Sequence, residues 1–493
     1  MTKHLPTGTR YVLQATTLLA LLASGDPLRG NVLETAPLPP AGWADDAWTD
    51  PGGWETVDVT KHGLRPDDQT VDSATAVRRI IASGSGNRIF YFPGGTYWFR
   101  SDLVISQNGI RIAGSGSTTT HFIQDDAEIA FRSPDVEDEV LSLDSPPGEG
   151  ETSLRSSDAS RLKRGDFILP VAQFPYDGNR EVYRRKMEKL GVGQIVIVED
   201  IEGDTVRFRD PLGIGYSPWP DLRIRKLNLL EDVGIESLRI EKLHNDEKSN
   251  VKFDHVHNAY ARNVRSYKTS KHHVWVSNSY RVFIEGNNFS HSHDYGPRGH
   301  GYGVQLVQSS TRCYIVNNKF ETLRHAVVIQ EGANHSVVAY NHNLSNLLLH
   351  GNFAHSNLFE GNQADAGINF DMVHGTNGPH NVVFRNNALG GRRGIRPRLG
   401  NDYSATVVGN VTSELRVDAQ DFTGANRVRT FTEWGVIPKD TPLPPSLYRS
   451  TKPAFLEDRA WPPFGPGTSA DWGASLTIPA AERDVENADE SAR

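Results

Sequence analysis

An all-β solenoid of stacked parallel coils is the fold class this sequence predicts, on three observations. Short apolar strands end in Asn again and again, at Asn263, Asn287, Asn317, Asn341, Asn362, Asn386 and Asn410, with spacings of 24, 30, 24, 21, 24 and 24 residues. A period near 24 is one coil, in which Asn tolerates a left-handed turn and its amide can bond the same position one coil away. Composition agrees: 37% hydrophobic residues, 45 Gly, 28 Pro and only three Met favour many short strands joined by turns over helices. At 493 residues the chain is long for one compact core, but an architecture that grows along one axis accommodates it.

Taken in order, the chain opens with Lys3 and Arg10 followed by "YVLQATTLLALLAS", too short to span a bilayer and expected to be a signal peptide over 1–25, cleaved near Ala23 to Gly25. A secreted or periplasmic location follows, and no later segment is apolar enough to cross a membrane. Residues 26–54 form a Pro-rich linker. From 55 to 134 an N-terminal cap and the first coils are expected, including a helix over 73–82 that places Ala76, Val77, Ile80 and Ile81 on one face behind Asp72 or Ser73 as N-cap. Residues 135–225 break the rhythm and read as a small inserted β subdomain with one short helix in "NREVYRRKMEKLG". Its entrance, "DVEDEV", reads as a solvated acidic loop. The main coils occupy 226–412, a Pro- and aromatic-rich segment over 413–480 is expected to cover the last coils, and 481–493 has a disordered composition. Cys313, the single cysteine, lies in the strand-like "CYIVNN" and reads as a buried thiol.

The one long spacing marks the candidate site. Between Asn287 and Asn317 the coil carries six residues more than the period, coinciding with "HSHDYGPRGHGYG" over 291–303, and an insertion in a solenoid must leave the ladder as a loop. From there each coil brings a histidine, at His300, His325, His350 and His374. Four coils at ~4.8 Å cover about 14 Å, roughly three sugar units, which suits a polymer. Strand ends add Gln330, Glu331 and Asp371, and the loop adds Asp294, Tyr295, Arg298 and Tyr302. "GGRRGIRPRLG" supplies Arg392, Arg393, Arg396 and Arg398, residues that grip carboxylates in bidentate fashion, and Lys268, Lys271, His272 and His273 form a second basic patch. A net charge of −8 gives no reason to propose nucleic acid as the bulk partner, and on such an acidic chain these local cations imply another anionic ligand.

Such residues suit β-elimination of an acidic glycan, where a base removes the proton α to a carboxylate, an acid protonates the leaving oxygen and cations neutralise the developing charge. The expected catalytic residues are His300, Tyr302, His325, His350, Asp371 and His374, with Asp294, Arg298, Gln330, Arg392, Arg393 and Arg396 binding substrate. His325 or His350 would be the base, Tyr302 or His300 the acid, and the arginines the neutralisers. Hydrolysis would instead need two carboxyl groups, drawn from Asp294, Glu331, Glu360, Asp365 and Asp371, with Asp294 and Asp371 the pair to test.

Pro66-Asp67-Asp68, the 73–82 helix and "FPGGTY" over 92–97 resemble the N-terminal cap of the pectate-lyase-like right-handed parallel β-helix superfamily. With the repeat region the resemblance covers most of 55–465. It implies a right-handed parallel β-helix with an N-terminal capping helix, and a carbohydrate-active protein: lyase, polygalacturonase-like hydrolase or uronate epimerase. "GHG" over 299–301 resembles the polygalacturonase motif, whereas that family's Asn-Thr-Asp and Asp-Asp pairs are absent, as is the Asp-Pro-His-Asp motif of alginate epimerases. No metal ligand is assigned, and calcium is the one cofactor considered. The expectation is a secreted polysaccharide lyase acting on an acidic polysaccharide or oligosaccharide. The alternatives are a hydrolase using Asp294 and Asp371, an epimerase, and a non-catalytic glycan-binding protein.

Overall fold

The computed structural model describes residues 43–135, 139–174, 181–390, 394–397, 405–416, 422–424, 426–428, 431–433, 443–469 and 471–483. The expected signal peptide, most of the linker, part of "DVEDEV", Arg392, Arg393, Arg398 and the tail beyond 483 lie outside them.

Three sheets of 13, 12 and 9 strands, parallel except for the antiparallel pair Asn426–Val428 and Phe431–Glu433 that ends the second, run the length of the molecule, and the chain visits them in turn. Successive coils pair in register, as in Tyr314↔Val337, Val337↔Leu358 and Leu358↔Val382. Inward side chains such as Val282, Ile315, Val338, Phe359 and Val383 build one continuous core. The expectation of an all-β parallel β-helix is borne out.

The Asn ladder is real, with a register that differs from the repeat count. Buried amides link Asn287 to Asn318 at 2.9 Å, Asn318 to Asn341 at 3.0 Å, Asn341 to Asn362 at 3.0 Å, Asn362 to Asn386 at 2.9 Å and Asn386 to Asn410 at 3.0 Å. Asn318, not Asn317, is the member, and Asn263 is exposed outside the ladder. The left-handed residue is the one before each ladder Asn: Gly286 (φ 69°), Asn317 (56°), Tyr340 (54°), Gly361 (64°), Arg385 (51°) and Gly409 (70°). That residue turns the corner between two sheets, and the turn aims the next side chain inward, where its amide meets the neighbouring coil.

The helix Ser73–Ala82 begins at Asp72, whose carboxylate accepts from Ala74 N and Thr75 N, both at 3.2 Å. It buries Ala74, Val77 and Ile80 and packs on the strands Gly95–Phe99 and Leu103–Ile105. Between the coil strands Ile129–Arg132 and Gly234–Glu236 the chain makes a seven-stranded antiparallel sheet, from Glu139–Ser142 to Arg223–Leu227, and the helix Glu181–Leu190. This excursion has its own core and clamps to the coils through Tyr280 OH on Asp210 at 2.7 Å and Asn334 Nδ2 on Gly193 O at 2.8 Å.

The Pro- and aromatic-rich segment covers a flank rather than only the last coils. The outer face of the 13-stranded sheet carries Tyr260, Phe283, Tyr314, Tyr340 and Phe384, too apolar to meet water, and Tyr448, Phe455, Leu456 and Trp461 lie on it beside Trp43 and Trp48. Arg385 pins the segment by donating to the carbonyls of Leu443, Pro444, Phe464 and Pro466.

Candidate active site

The nine-stranded sheet carries a groove on its outer face, with Trp275 and Asn369 partly exposed and Gln305, Val328 and Leu348 buried between them. Its strands alternate, with Val274, Leu306, Ile329, Leu349 and Phe370 in the core. Lys252, Trp275, Gln305, Val328, Leu348, Asn369 and Arg396 form one outward row in register across seven coils. Beside that row stands a file of rings, one per coil. Centroids of His272 and Tyr302 are 5.6 Å apart, Tyr302 and His325 5.0 Å, His325 and His350 6.3 Å, and His350 and His374 4.3 Å. A groove of about 300 Å³ lies along these two files, lined by Trp275, Tyr302, Gln330, Glu331, His350 and His374 and by the cations Lys186, Lys271 and Arg298.

His350 is the most organised group in it. The strand Leu347–Leu349 ends one residue earlier, and the next strand ends one residue before Asp371, so parallel register brings the two side chains together. His350 Nδ1 lies 2.9 and 3.0 Å from the two Asp371 oxygens. Burial pushes the Asp371 carboxyl up, but its bond to His350 and the imidazole charge outweigh this and hold it below the usual range. With Nδ1 donating to the carboxylate, the neutral ring carries its lone pair on Nε2, as a general base requires. His325, whose Nδ1 meets Asn346 Oδ1 at 2.7 Å, is pushed down to about 4 chiefly by burial, so it is neutral and weakly basic.

The 291–303 loop crosses the N-terminal side of the groove. His300 Nε2 bonds Glu247 at 2.9 Å, and its Nδ1 lies 2.9 Å from Asp294, off the line of a hydrogen bond. His300 is thus engaged by two carboxylates at the foot of the loop, while Arg298 and Gly299 reach the groove. The Arg324 guanidinium binds Gly296 O and tethers the loop to the following coil.

Of the expected residues, Tyr302, His325, His350, Asp371, His374, Arg298 and Gln330 come together, with His300 and Asp294 adjoining. Arg396 belongs to the same outward row, two strands beyond Leu348, and is paired with Glu414. Glu360 does not reach the groove. It is buried on the 13-stranded sheet beneath the covering segment, where it accepts from Leu447 N at 2.8 Å and burial lifts it to about 7. Asp365 pairs with His342 at 3.1 Å on the 12-stranded sheet. Tyr295 is largely exposed, its hydroxyl accepting from Ser292 N at 3.1 Å. Asp294 lies in the loop that precedes the strand Tyr302–Val307, and Asp371 follows a strand three steps further along the sheet.

Sequence reasoning missed Lys186 and Trp275. Lys186 comes from the excursion's helix and meets the buried Glu331 at 2.6 Å. Its only sequence signal is the charged run "YRRKMEK". Among the described residues no group of three His, Cys, Asp or Glu is placed to hold a metal ion, and no helix is long and apolar enough to cross a membrane.

No family model and no curated protein matches the sequence. Solved structures do. The tailspike protein of Pseudomonas phage LKA1 superposes with a TM-score of 0.51 at 15% identity over 69% of this chain and 57% of its own. The tailspike of Pseudomonas phage phi297 gives 0.48 at 12% identity over 76% and 64%. An exopolygalacturonase from Thermotoga maritima gives 0.36 at 12% identity over 77% and 92%. The chain spans a little over half the length of the LKA1 tailspike. The parallel β-helix fold is what this chain shares with the LKA1 tailspike.

Proposed function

We propose that the protein degrades an acidic polysaccharide by β-elimination in the groove of the nine-stranded sheet. The observation that carries this reading is the His350–Asp371 pair set among Lys186, Lys271 and Arg298 in an open groove on an acidic chain. His350 Nε2 takes the proton α to the sugar carboxylate, Tyr302 protonates the departing glycosidic oxygen, and the cations bind the carboxylate and stabilise its enolate-like form. His374, packed edge-on against His350 at 4.3 Å, fixes the ring from the other side. The shape of the site supports a polymer, because its rows run along the solenoid axis.

A second reading, hydrolysis, is favoured by one observation. Glu331 and Asp371 are two strand steps apart, about 10 Å along the axis and near the upper end of an inverting pair. Incubation with a panel of polyuronates separates the readings. Ultraviolet-absorbing unsaturated ends support elimination, and new reducing ends without that absorbance refute it. Retention of polymer with no cleavage at all would make the protein a glycan-binding module.

A further inference from the structure

The groove continues past its histidines. A second cavity of about 290 Å³ extends it toward the N-terminal coils, with Lys248 and Lys252 in its wall, and it shares Lys271, His272 and Trp275 with the first. A ligand filling both cavities must therefore pass over Trp275. This indole is half-buried and backed by Lys252, whose Nζ lies 4.6 Å from the ring centroid.

The charges here are not equivalent. Lys248 is taken up by Asp102 at 3.1 Å and Asp126 at 3.3 Å, and Lys271 by Glu247 at 3.1 Å. Lys252 makes no ion pair among the described residues. Two carboxyls feel its charge: Glu128, raised above its ordinary value by burial with Lys252 opposing, and Asp254, which burial pushes up but which is held low mainly by its bond to His255 with a smaller contribution from Lys252. A cation beside an aromatic face is a suitable seat for a carboxylate-bearing sugar, with the ring stacking on the pyranose and the ammonium meeting the carboxylate. The register row places Trp275 three strand steps from Leu348, the neighbour of His350, or about 14 Å.

We infer that Trp275 and Lys252 form a distal subsite that holds a uronate residue about three sugar units from the one at His350. Turnover then depends on chain length. The inference rests on the groove being the glycan site.

The test uses size-fractionated oligosaccharides, from di- to octasaccharide, of the polyuronate that the wild type degrades. Trp275→Ala is expected to raise KM about tenfold for the longer chains and to leave di- and trisaccharides unchanged, with Trp275→Phe restoring most of the loss. Lys252→Ala should show the same length dependence. An equal effect on all lengths, or none on any, overturns the subsite. If the wild type cleaves no polyuronate, the elimination reading fails separately, and affinity gels cast with polygalacturonate or alginate decide the subsite. Retardation of the wild type but not of Trp275→Ala supports it, and equal migration of the two overturns it.

Discussion

Replacing Asn362 with alanine tests whether the amide ladder holds the coils together. Asn362 is fully buried; its Nδ2 donates to Val338 O at 2.8 Å and Asn386 Oδ1 at 2.9 Å, and its Oδ1 accepts from Asn341 N and Asn341 Nδ2, both at 3.0 Å. Asn386 Oδ1 keeps the donor Asn362 N at 3.0 Å, and Asn341 Nδ2 keeps Ile315 O at 2.7 Å. The Asn341 amide N–H has no second acceptor and is orphaned in the core. One buried orphan costs about 1–3 kcal/mol and the other three lost bonds about 1 kcal/mol each, offset in part by relaxation, so the expected loss is about 3–5 kcal/mol. Equilibrium guanidinium denaturation measures it, and amide exchange should localise the loss to the coils around Asn341 and Asn362. Asn263→Gly is the control: this residue is exposed, and glycine accepts its positive φ of 52°, so stability should change by less than about 0.5 kcal/mol. If Asn263→Gly costs as much as Asn362→Ala, the ladder assignment is wrong.

Asp371→Asn should lower kcat on the degraded polyuronate by about 10²–10⁴-fold with little change in KM, because the amide no longer fixes the His350 tautomer; an unchanged kcat contradicts the role given to the pair. Acid should unfold the protein through its buried histidines. His272, His273 and His335 are held down to about 3, and His325 to about 4, chiefly by burial. Their folded values lie below the unfolded value near 6.5, so this contribution is present above about pH 6.5 and is lost as the pH falls toward 3–4. His355 is also held well below its ordinary value by burial, so calorimetry in buffers of different ionisation heat at about pH 5 should show these histidines taking up about five protons on unfolding, and net uptake below one would contradict it. Cys313 is buried and raised to about 12 by burial, so a thiol reagent should react only after denaturation.

The coil period is legible in the sequence because every coil must return its chain to the same three sheets, and deviations from 24 residues become loops. The ladder register is not, because Asn317 and Asn318 are adjacent and only the backbone shows which takes the left-handed turn. The column of Gln330, His350 and Asp371 is recoverable from the strand ends, since parallel register converts equal coil position into contact. Glu360 and Asp365 look equivalent to Asp371 in sequence, yet each ends a strand of a different sheet, and which sheet a strand joins depends on corner geometry. Lys186 lies 145 residues from Glu331 in an excursion whose docking no periodicity describes.

The most direct measurement is the structure of the His350→Ala variant with a bound oligouronide. The chain should lie along the row from Trp275 to Asn369, with one carboxylate against Lys271 or Arg298 and the α-proton of that sugar facing the space left by the imidazole. Sugar bound instead on the opposite flank, in the cleft of Arg262, Glu285 and Phe455, would contradict the account.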